Sequence, residues 1–191
     1  MARPTVEPQR RRAMIGAAIE AIHAQGSLDV TVGQIARRAG FSPALAHHYF
    51  GAKDDLLLAV MRQLLGDLGR ETAAGLRGVR DGRARVSAIL AASLGPAQFR
   101  PATLSAWLAF YEMAQRNPQA RRLLHVYFRR LASNLADALA RVAPRAAARE
   151  IAAGAGALID GLYLRHGLGH AAPDSGAAAR IVEAHIAARL G

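Results

Sequence analysis

The sequence of 191 residues contains no cysteine. This absence excludes disulfide bridges, thiolate zinc sites and thiol nucleophiles, and it agrees with a reducing compartment. No run of about eighteen apolar residues that could span a bilayer is present, and Met1 to Arg12 lacks the apolar segment of a secretion signal. We therefore expect a soluble cytoplasmic protein with no membrane partner.

Lysine is nearly absent too, because Lys53 is the only one among 25 basic residues. The formal net charge of +11 suggests a nucleic-acid partner, but its distribution is even. Residues 1–65 hold eight basic and five acidic side chains, a balance of +3, and residues 66–191 hold 17 and nine, a balance of +8. Since no segment concentrates the excess, total charge is weak evidence for function.

Sustained alternation with period two is absent, whereas nearly every segment between glycine or proline breakers has helical spacing. The pattern predicts an all-α protein of about nine helices. The first follows an apolar stripe from Arg10 and ends near Gln25-Gly26, and a long helix begins at Lys53. Five further helices are predicted at about 83–95, 101–116, 118–143, 145–166 and 174–190.

Two short helices are expected between the first helix and the long one. Thr31 stands at the N-cap position before 32–38, and Ser42 caps the next segment with Pro43 at its first helical position. Residues 39–41 interrupt the two segments and include Gly40, which takes positive φ without steric cost. Two short helices joined by such a turn predict a helix-turn-helix.

The second short helix has side chains that suit the major groove of DNA, which is about 12 Å wide and admits one helix. Ala44 and Leu45 are small or apolar and could contact thymine methyl groups. His47 and His48 can donate or accept hydrogen bonds at base edges, and Tyr49 can give its hydroxyl to a phosphate.

Phe50 and Lys53 complete this segment. We expect Phe50 to turn into the core beneath the first helix. Lys53 stands in the first turn of the next helix, where a cation opposes the helix macrodipole unless an external anion compensates it. A DNA phosphate is such an anion, and an ordinary solvated lysine is the alternative.

Aromatic residues number only ten, and most of those outside the helix-turn-helix stand between 107 and 163. Two interpretations remain open. The rings fill the core, or they line a cage for a quaternary ammonium ion, whose charge ring faces attract. Trp107 and Tyr111 share one helix face at i, i+4. The rings concerned are Trp107, Phe110, Tyr111, Tyr127, Phe128 and Tyr163.

Asp160 is the candidate anion for such a cage. It lies in the apolar stretch 157–164, where a buried charge needs a partner. Ion pairing with Arg129 or Arg130 is the structural alternative, and Glu112 is a further candidate anion.

Signals for enzymatic or metal chemistry are missing. The sequence has no phosphate-binding loop, HExxH motif, nucleophile elbow or paired catalytic carboxylates. His166 and His170 have the spacing of a helical metal pair, but Gly167 and Gly169 disfavour a continuous helix and no third ligand stands nearby. We therefore predict no enzyme, no metal site and no cofactor.

The helix-turn-helix segment resembles the DNA-binding signature of TetR-family transcriptional repressors. The residues that carry the resemblance are Thr31, Ile35, Ala36, Gly40, Ser42, the His48-Tyr49-Phe50 triplet, Lys53 and Leu56. The resemblance implies a DNA-binding domain over 1–52 and a ligand-binding and dimerisation domain over 53–191. It also implies phosphate contacts by Thr31, Ser42, Tyr49 and Lys53, and base-facing positions for Pro43, Ala44, Leu45 and His47.

The C-terminal half resembles the choline-responsive members of that family. The resemblance rests on 107–110, Asn117-Pro118, 129–131, 133–135 and 160–165. It implies a homodimer formed by the last two helices, a palindromic DNA operator, and choline or another quaternary ammonium as effector in choline and glycine betaine metabolism. The alternatives are a repressor of the same fold for a hydrophobic or acyl ligand, and a constitutive DNA-binding protein without effector.

Overall fold

The computed structural model describes residues 6–26, 28–169, 172 and 174–190, and these residues form nine α-helices and no β-strand. The all-α prediction is confirmed. The helices are α1 (Val6–Gln25), α2 (Val32–Arg38), α3 (Pro43–Phe50), α4 (Lys53–Gly75), α5 (Gly82–Leu94), α6 (Pro101–Arg116), α7 (Pro118–Leu139), α8 (Arg145–Gly167) and α9 (Ser175–Leu190).

Two helix ends differ from the sequence prediction. Helix α1 begins at Val6 rather than near Arg10, since Pro8 lies in the first turn, where a helix leaves its N–H groups unpaired anyway. Helix α7 ends at Leu139 rather than 143. The chain tightens into a turn there, because Arg141 N and Val142 N donate to the carbonyl oxygens three residues back, those of Ala138 and Leu139.

The helix-turn-helix forms as its caps predict. The Thr31 hydroxyl accepts from Gln34 N at 3.1 Å, and the Gln34 amide oxygen accepts from Thr31 N at 2.7 Å, which makes a capping box. The Ser42 hydroxyl accepts from Leu45 N at 3.2 Å. Gly40 between the helices has φ +74°, the region that favours glycine.

A continuous hydrophobic core joins both halves of the molecule. Met14 and Ala18 of α1 and Ile35 of α2 are fully buried in it. Helix α4 contacts α1 and α3 as well as α5 and α7, and α6 packs along α1. The division between 1–52 and 53–191 therefore stays a prediction, because α4 contacts both halves.

The last two helices use some of their small residues for contacts within the chain. A Cβ atom at Gly154 of α8 would lie 2.6 Å from Nε2 of His185 on α9. Ala178 of α9 is fully buried. These two positions let α8 and α9 approach each other. None of the described helices combines the length and the apolar character that a bilayer span requires.

Candidate functional site

Helix α3 has one face in the core and one face in solvent. Ala46 and Phe50 are buried, and Leu45 and Tyr49 are half-buried at the margins. The opposite face is exposed and is formed by Ser42, Pro43, Ala44, His47 and His48. The fold therefore presents three of the four predicted base-facing side chains, Pro43, Ala44 and His47, on one surface, with Leu45 at its margin.

Two exposed hydroxyl groups at the N-termini of α2 and α3 keep a free donor. Thr31 and Ser42 each use an oxygen lone pair to accept a backbone N–H at a helix N-terminus. A hydroxyl has one O–H donor and two acceptor positions. Both O–H groups can therefore donate to a phosphate while the caps stay intact, and the phosphate contacts themselves stay a prediction.

The C-terminal end of α3 is held by a residue that the sequence analysis missed. The guanidinium of Arg11 lies 4.6 Å from the centroid of the Phe50 ring, and its Nη1 donates to the carbonyl oxygen of Tyr49 at 3.1 Å. The expectation that Phe50 turns under α1 is confirmed. The run of arginines at 10–12 was the only signal for this contact.

Lys53 is half-buried at the first position of α4. Its acidic neighbours have other partners, because Asp54 accepts from Asn117 Nδ2 at 3.2 Å and Asp55 accepts from Ala52 N at 3.3 Å. Within the part of the chain that the structure describes, the Lys53 ammonium forms no hydrogen bond or ion pair. The cation is thus available to an external anion.

The C-terminal half contains a closed aromatic cluster around Trp107, which is fully buried. Ring centroids lie 4.9 Å from Trp107 for Tyr127, 5.2 Å for Tyr163, 5.9 Å for Phe110 and 6.0 Å for Tyr111. The Trp107 and Tyr163 rings are stacked, with 21° between their planes. Helices α6, α7 and α8 thus bring five predicted ring residues together.

Asp160 lies against this cluster and accepts two tyrosine hydroxyls. The distance to its Oδ1 is 3.0 Å from Tyr111 and 3.1 Å from Tyr127. Among the described residues it forms no ion pair with Arg129 or Arg130, which are both exposed, so the arginine alternative is wrong. The carboxylate is held by phenols and carries an uncompensated charge.

Burial shapes the proton equilibria of the cluster. Burial raises the pKa of Asp160 to about 6, although the hydrogen bonds from Tyr111 and Tyr127 act in the opposite direction. Burial also raises the pKa of Tyr111, Tyr127 and Tyr163, and the nearby Asp160 charge adds to that effect. The three phenols therefore remain neutral donors while Asp160 is ionised at neutral pH.

Two polar contacts of the cluster had no signal in the sequence. The Tyr163 hydroxyl donates to the carbonyl oxygen of Ser93 on α5. Trp107 Nε1 lies 3.4 Å from the Oε1 of Gln98, which is buried. These contacts fix the outer edges of the two stacked rings.

A cavity of about 320 Å³ adjoins the cluster between α4, α5 and α7. Tyr127 and Ser93 line it and so link it to the rings. The remaining lining is mostly apolar and consists of Leu65, Leu68, Gly69, Thr72, Ala73, Leu76, Ile89, Val126, Arg130, Leu131 and Asn134.

Phe128, Glu112 and His166, which the sequence also singled out, lie outside the cluster. Phe128 is 37% exposed, although its ring touches Tyr127, and Glu112 pairs with Arg116 on the surface. His170 lies outside the described residues. The ring of His166 packs against Phe99, with centroids 5.1 Å apart.

Comparison with known proteins identifies two family matches in the chain. The profile for bacterial regulatory proteins of the tetR family matches residues 14–60. The profile described as BetI-type transcriptional repressor, C-terminal, matches residues 82–191. The second match alone spans more than half of the chain.

Curated relatives match almost the whole length. A protein of Brucella canis named HTH-type transcriptional regulator BetI is 54% identical over 185 residues, which cover 97% of this chain and 93% of the relative. A protein of the same name from Rhizobium meliloti is 48% identical, with 97% and 91% covered.

Solved structures share the fold. A transcriptional regulator from Pseudomonas aeruginosa superimposes with a TM-score of 0.80 at 25% identity and covers 96% of this chain and 91% of its own. A regulator from Saccharomonospora viridis, solved in complex with choline, gives 0.82 at 24% identity, with 94% and 96% covered. At that identity the second likeness shows the fold alone.

Proposed function

The chain belongs to the TetR family of transcriptional repressors, with a BetI-type C-terminal domain, and from that premise we propose that it is a homodimer which choline or a related quaternary ammonium releases from its operator. The family and the names of its relatives identify a DNA-binding regulator rather than an enzyme. The effector, the dimer and the residue roles below belong to the proposal.

The observation that carries the effector assignment is the carboxylate of Asp160 beside five clustered rings. Ring faces attract a cation within about 6 Å of their centroids, and the attraction grows when the site is desolvated. A quaternary ammonium has no N–H donor, so it needs ring faces and a counter-charge rather than hydrogen-bond acceptors. Asp160 supplies the counter-charge, and Trp107, Tyr111, Tyr127 and Tyr163 supply the faces.

Effector binding requires the cluster to open. Trp107 lies in contact with its neighbours, so a trimethylammonium group between two of the faces must separate them. Because Trp107 belongs to α6, opening moves α6 relative to α7 and α8. The adjoining cavity gives the remainder of the effector a place at Tyr127.

Helix α6 also contacts the DNA-binding half, so its movement is transmitted there. His23 Nδ1 of α1 lies 2.9 Å from the hydroxyl oxygen of Ser105 on α6. Glu20 of α1 pairs with Arg100 at the start of α6, at 3.4 Å. The effector can lower operator affinity by no more than the ratio of its own affinities for the opened and the closed arrangement of the cluster.

We propose that the dimer interface is formed by two stripes of outward-facing apolar and small residues along the last two helices. Leu164 of α8 and Leu168 directly after this helix are 45% and 69% exposed, and Ile181 of α9 is 48% exposed. Their stripes continue at helical spacing through small uncharged residues, with open space at Gly161. The stripe members are Ala153, Ala157, Gly161 and Leu164 on α8, Leu168 directly after it, and Ala177, Ile181, Ala184 and Ala188 on α9.

In this proposal the exposed face of α3 lies in the major groove. A two-fold dimer then places two copies of α3 in adjacent grooves about 34–36 Å apart, which requires a roughly palindromic operator. Thr31, Ser42, Tyr49 and Lys53 contact phosphates on either side.

Calorimetric titration with choline and with 3,3-dimethylbutan-1-ol tests the effector assignment. The two molecules have nearly the same shape, and only choline carries a charge. The cage predicts binding of choline and at least tenfold weaker binding of the neutral isostere. Equal affinities would mean that shape and not charge is recognised, and the assignment would be wrong.

The cavity favours a second candidate, a repressor for an apolar effector, because its lining is mostly aliphatic. Titration with a medium-chain fatty acid separates the two. Binding of the lipid with no response to choline supports the second candidate, and operator binding that ignores every compound supports a constitutive DNA-binding protein.

Sedimentation of Leu164→Glu tests the dimer. A buried charge at the two-fold interface is expected to give monomers. Val142→Glu is the matched control, because Val142 is 38% exposed and lies off both stripes. If both variants remain dimers, these stripes are not the interface.

A further inference from the structure

Helix α3 carries no charged side chain between Pro43 and Phe50. The commonest specific contact in the major groove, an arginine or lysine on guanine, is therefore unavailable from this helix. The exposed polar side chains within it are the imidazoles of His47 and His48. Hydrogen-bond reading of bases by these two side chains depends on which ring nitrogen carries the proton.

The structure fixes the proton on His47. Its Nδ1 lies 2.9 Å from the carbonyl oxygen of Gly51. A carbonyl oxygen can only accept, so Nδ1 must donate and must carry the hydrogen. In the neutral ring, Nε2 is then unprotonated and acts as an acceptor.

Gly51 holds this arrangement in place. Its backbone N–H donates to the carbonyl oxygen of His47 at 2.8 Å, while its own carbonyl accepts from the His47 ring. Gly51 has φ 68° and ψ −111°, which a residue with a Cβ adopts only with strain. The backbone and the side chain of residue 47 are thus both tied to residue 51, and the ring orientation is set before DNA arrives.

We propose that His47 is a specificity-determining residue that reads an exocyclic amino group through Nε2. In the major groove those donors are adenine N6 and cytosine N4. Guanine offers N7 and O6, and thymine offers O4, so each presents an acceptor to the acceptor Nε2. The inference rests on the proposed placement of α3 in the groove, and it makes His47 select adenine or cytosine against guanine and thymine.

The tautomer can be tested without DNA. Long-range ¹H–¹⁵N correlation spectra of the ¹⁵N-labelled protein distinguish a protonated from an unprotonated ring nitrogen. We expect neutral His47 to have hydrogen on Nδ1 and none on Nε2. The opposite tautomer would overturn the proposal, whatever the protein does with an operator.

The base contact is tested on duplexes that the wild-type protein selects from a random pool. Each adenine is replaced in turn by purine, and each cytosine by 2-pyrimidinone, which removes only the amino group. At one position per half-site the wild-type affinity is expected to fall about 3- to 10-fold, the range of one net hydrogen bond. The base that the selected duplexes carry at that position, adenine or cytosine, is the base that His47 reads.

His47→Phe keeps a flat ring and removes the acceptor. Because His47 is exposed, the variant is expected to fold, and thermal unfolding checks this. His47→Phe should bind the intact duplex about as weakly as the wild type binds the duplex that lacks the amino group. Removing that amino group should not weaken the binding of His47→Phe further. His48→Phe is the matched comparison, because it changes the adjacent imidazole: whatever its own affinity for the intact duplex, it should lose the same factor as the wild type when that one amino group is removed.

Two results would overturn the proposal while leaving α3 in the groove. One is that His47→Phe loses as much affinity as the wild type on amino-group removal at every position. The other is a wild-type sensitivity to 7-deazaguanine that His47→Phe removes, since it would make Nε2 a donor. A failed placement of α3 gives a third pattern, in which no amino-group removal and neither histidine variant affects binding, and both proposals fall together.

Discussion

The exposed face of α3 and the aromatic cluster beneath α6 differ in how much must move before each can bind. The α3 side chains already lie in solvent on a capped helix, and Lys53 is available beside them. The cluster around Trp107 is closed, and its rings contact one another. In the proposed function, the α3 face can contact DNA without rearrangement, whereas a ligand must open the cluster, so we assign the switch to the cluster.

This difference predicts a large effect of truncation on stability in the cluster and a small one on the α3 face. Trp107→Ala removes a fully buried ring and is expected to lower the free energy of unfolding by about 3–5 kcal/mol. His48→Ala on the α3 face should change it by less than about 0.5 kcal/mol. Urea unfolding at one fixed protein concentration measures both. Similar values for the two variants would contradict the description of the cluster as part of the hydrophobic core.

A milder change separates the proposed ligand function of the cluster from its packing. Asp160→Asn keeps an oxygen that can accept from Tyr111 and Tyr127 but removes the charge. We expect choline affinity to fall about 30-fold or more, as for truncation of one buried charge partner, while operator binding without choline stays unchanged. Calorimetry and operator binding measure the two effects. If choline affinity is unaltered, Asp160 is a structural residue only.

Acidification also tests whether choline binding needs the charge of Asp160, because burial raises the pKa of this group to about 6. The group is almost fully ionised at pH 8 and about one-tenth ionised at pH 5. Since the cation needs the ionised form, choline affinity should fall about tenfold from pH 8 to pH 5. The affinity of Asp160→Asn should stay level over this range, and a parallel fall in that variant would assign the effect to another group.

The smallest effect is expected on the DNA side. Lys53→Ala should weaken binding to all sequences alike and reduce the salt slope by about 0.9 for each lost phosphate contact, hence by about two for a dimer. Arg77→Ala, an exposed cation beyond the end of α4, should leave the slope unchanged. An unaltered slope for the Lys53 variant would remove it from the phosphate contacts.

The two regions also differ in how far the sequence predicts them. The helix-turn-helix follows from local rules within one segment, namely the Thr31 and Ser42 caps, Pro43 at the first helical position and Gly40 with positive φ. Each rule involves neighbours in the chain. Arg11 was missed because its contact with Phe50 joins residues 38 or more positions apart.

The cluster depends on four helices, and local rules reach only part of it. The i, i+4 spacing placed Trp107 and Tyr111 on one face, and composition pointed to the other rings. Nothing local could decide whether Asp160 meets an arginine or a tyrosine, since α6, α7 and α8 settle that choice by packing. The partners Ser93 and Gln98 are ordinary polar residues with no spacing signal.

The central claim is that a buried cation site on α6, α7 and α8 controls a DNA-binding face on α3. Its most direct test is fluorescence anisotropy of the selected operator duplex, bound by the wild-type protein and titrated with choline or with 3,3-dimethylbutan-1-ol. The account predicts that choline releases the duplex and that the neutral isostere does not at the same concentration. Release by both compounds alike, or by neither, would contradict it.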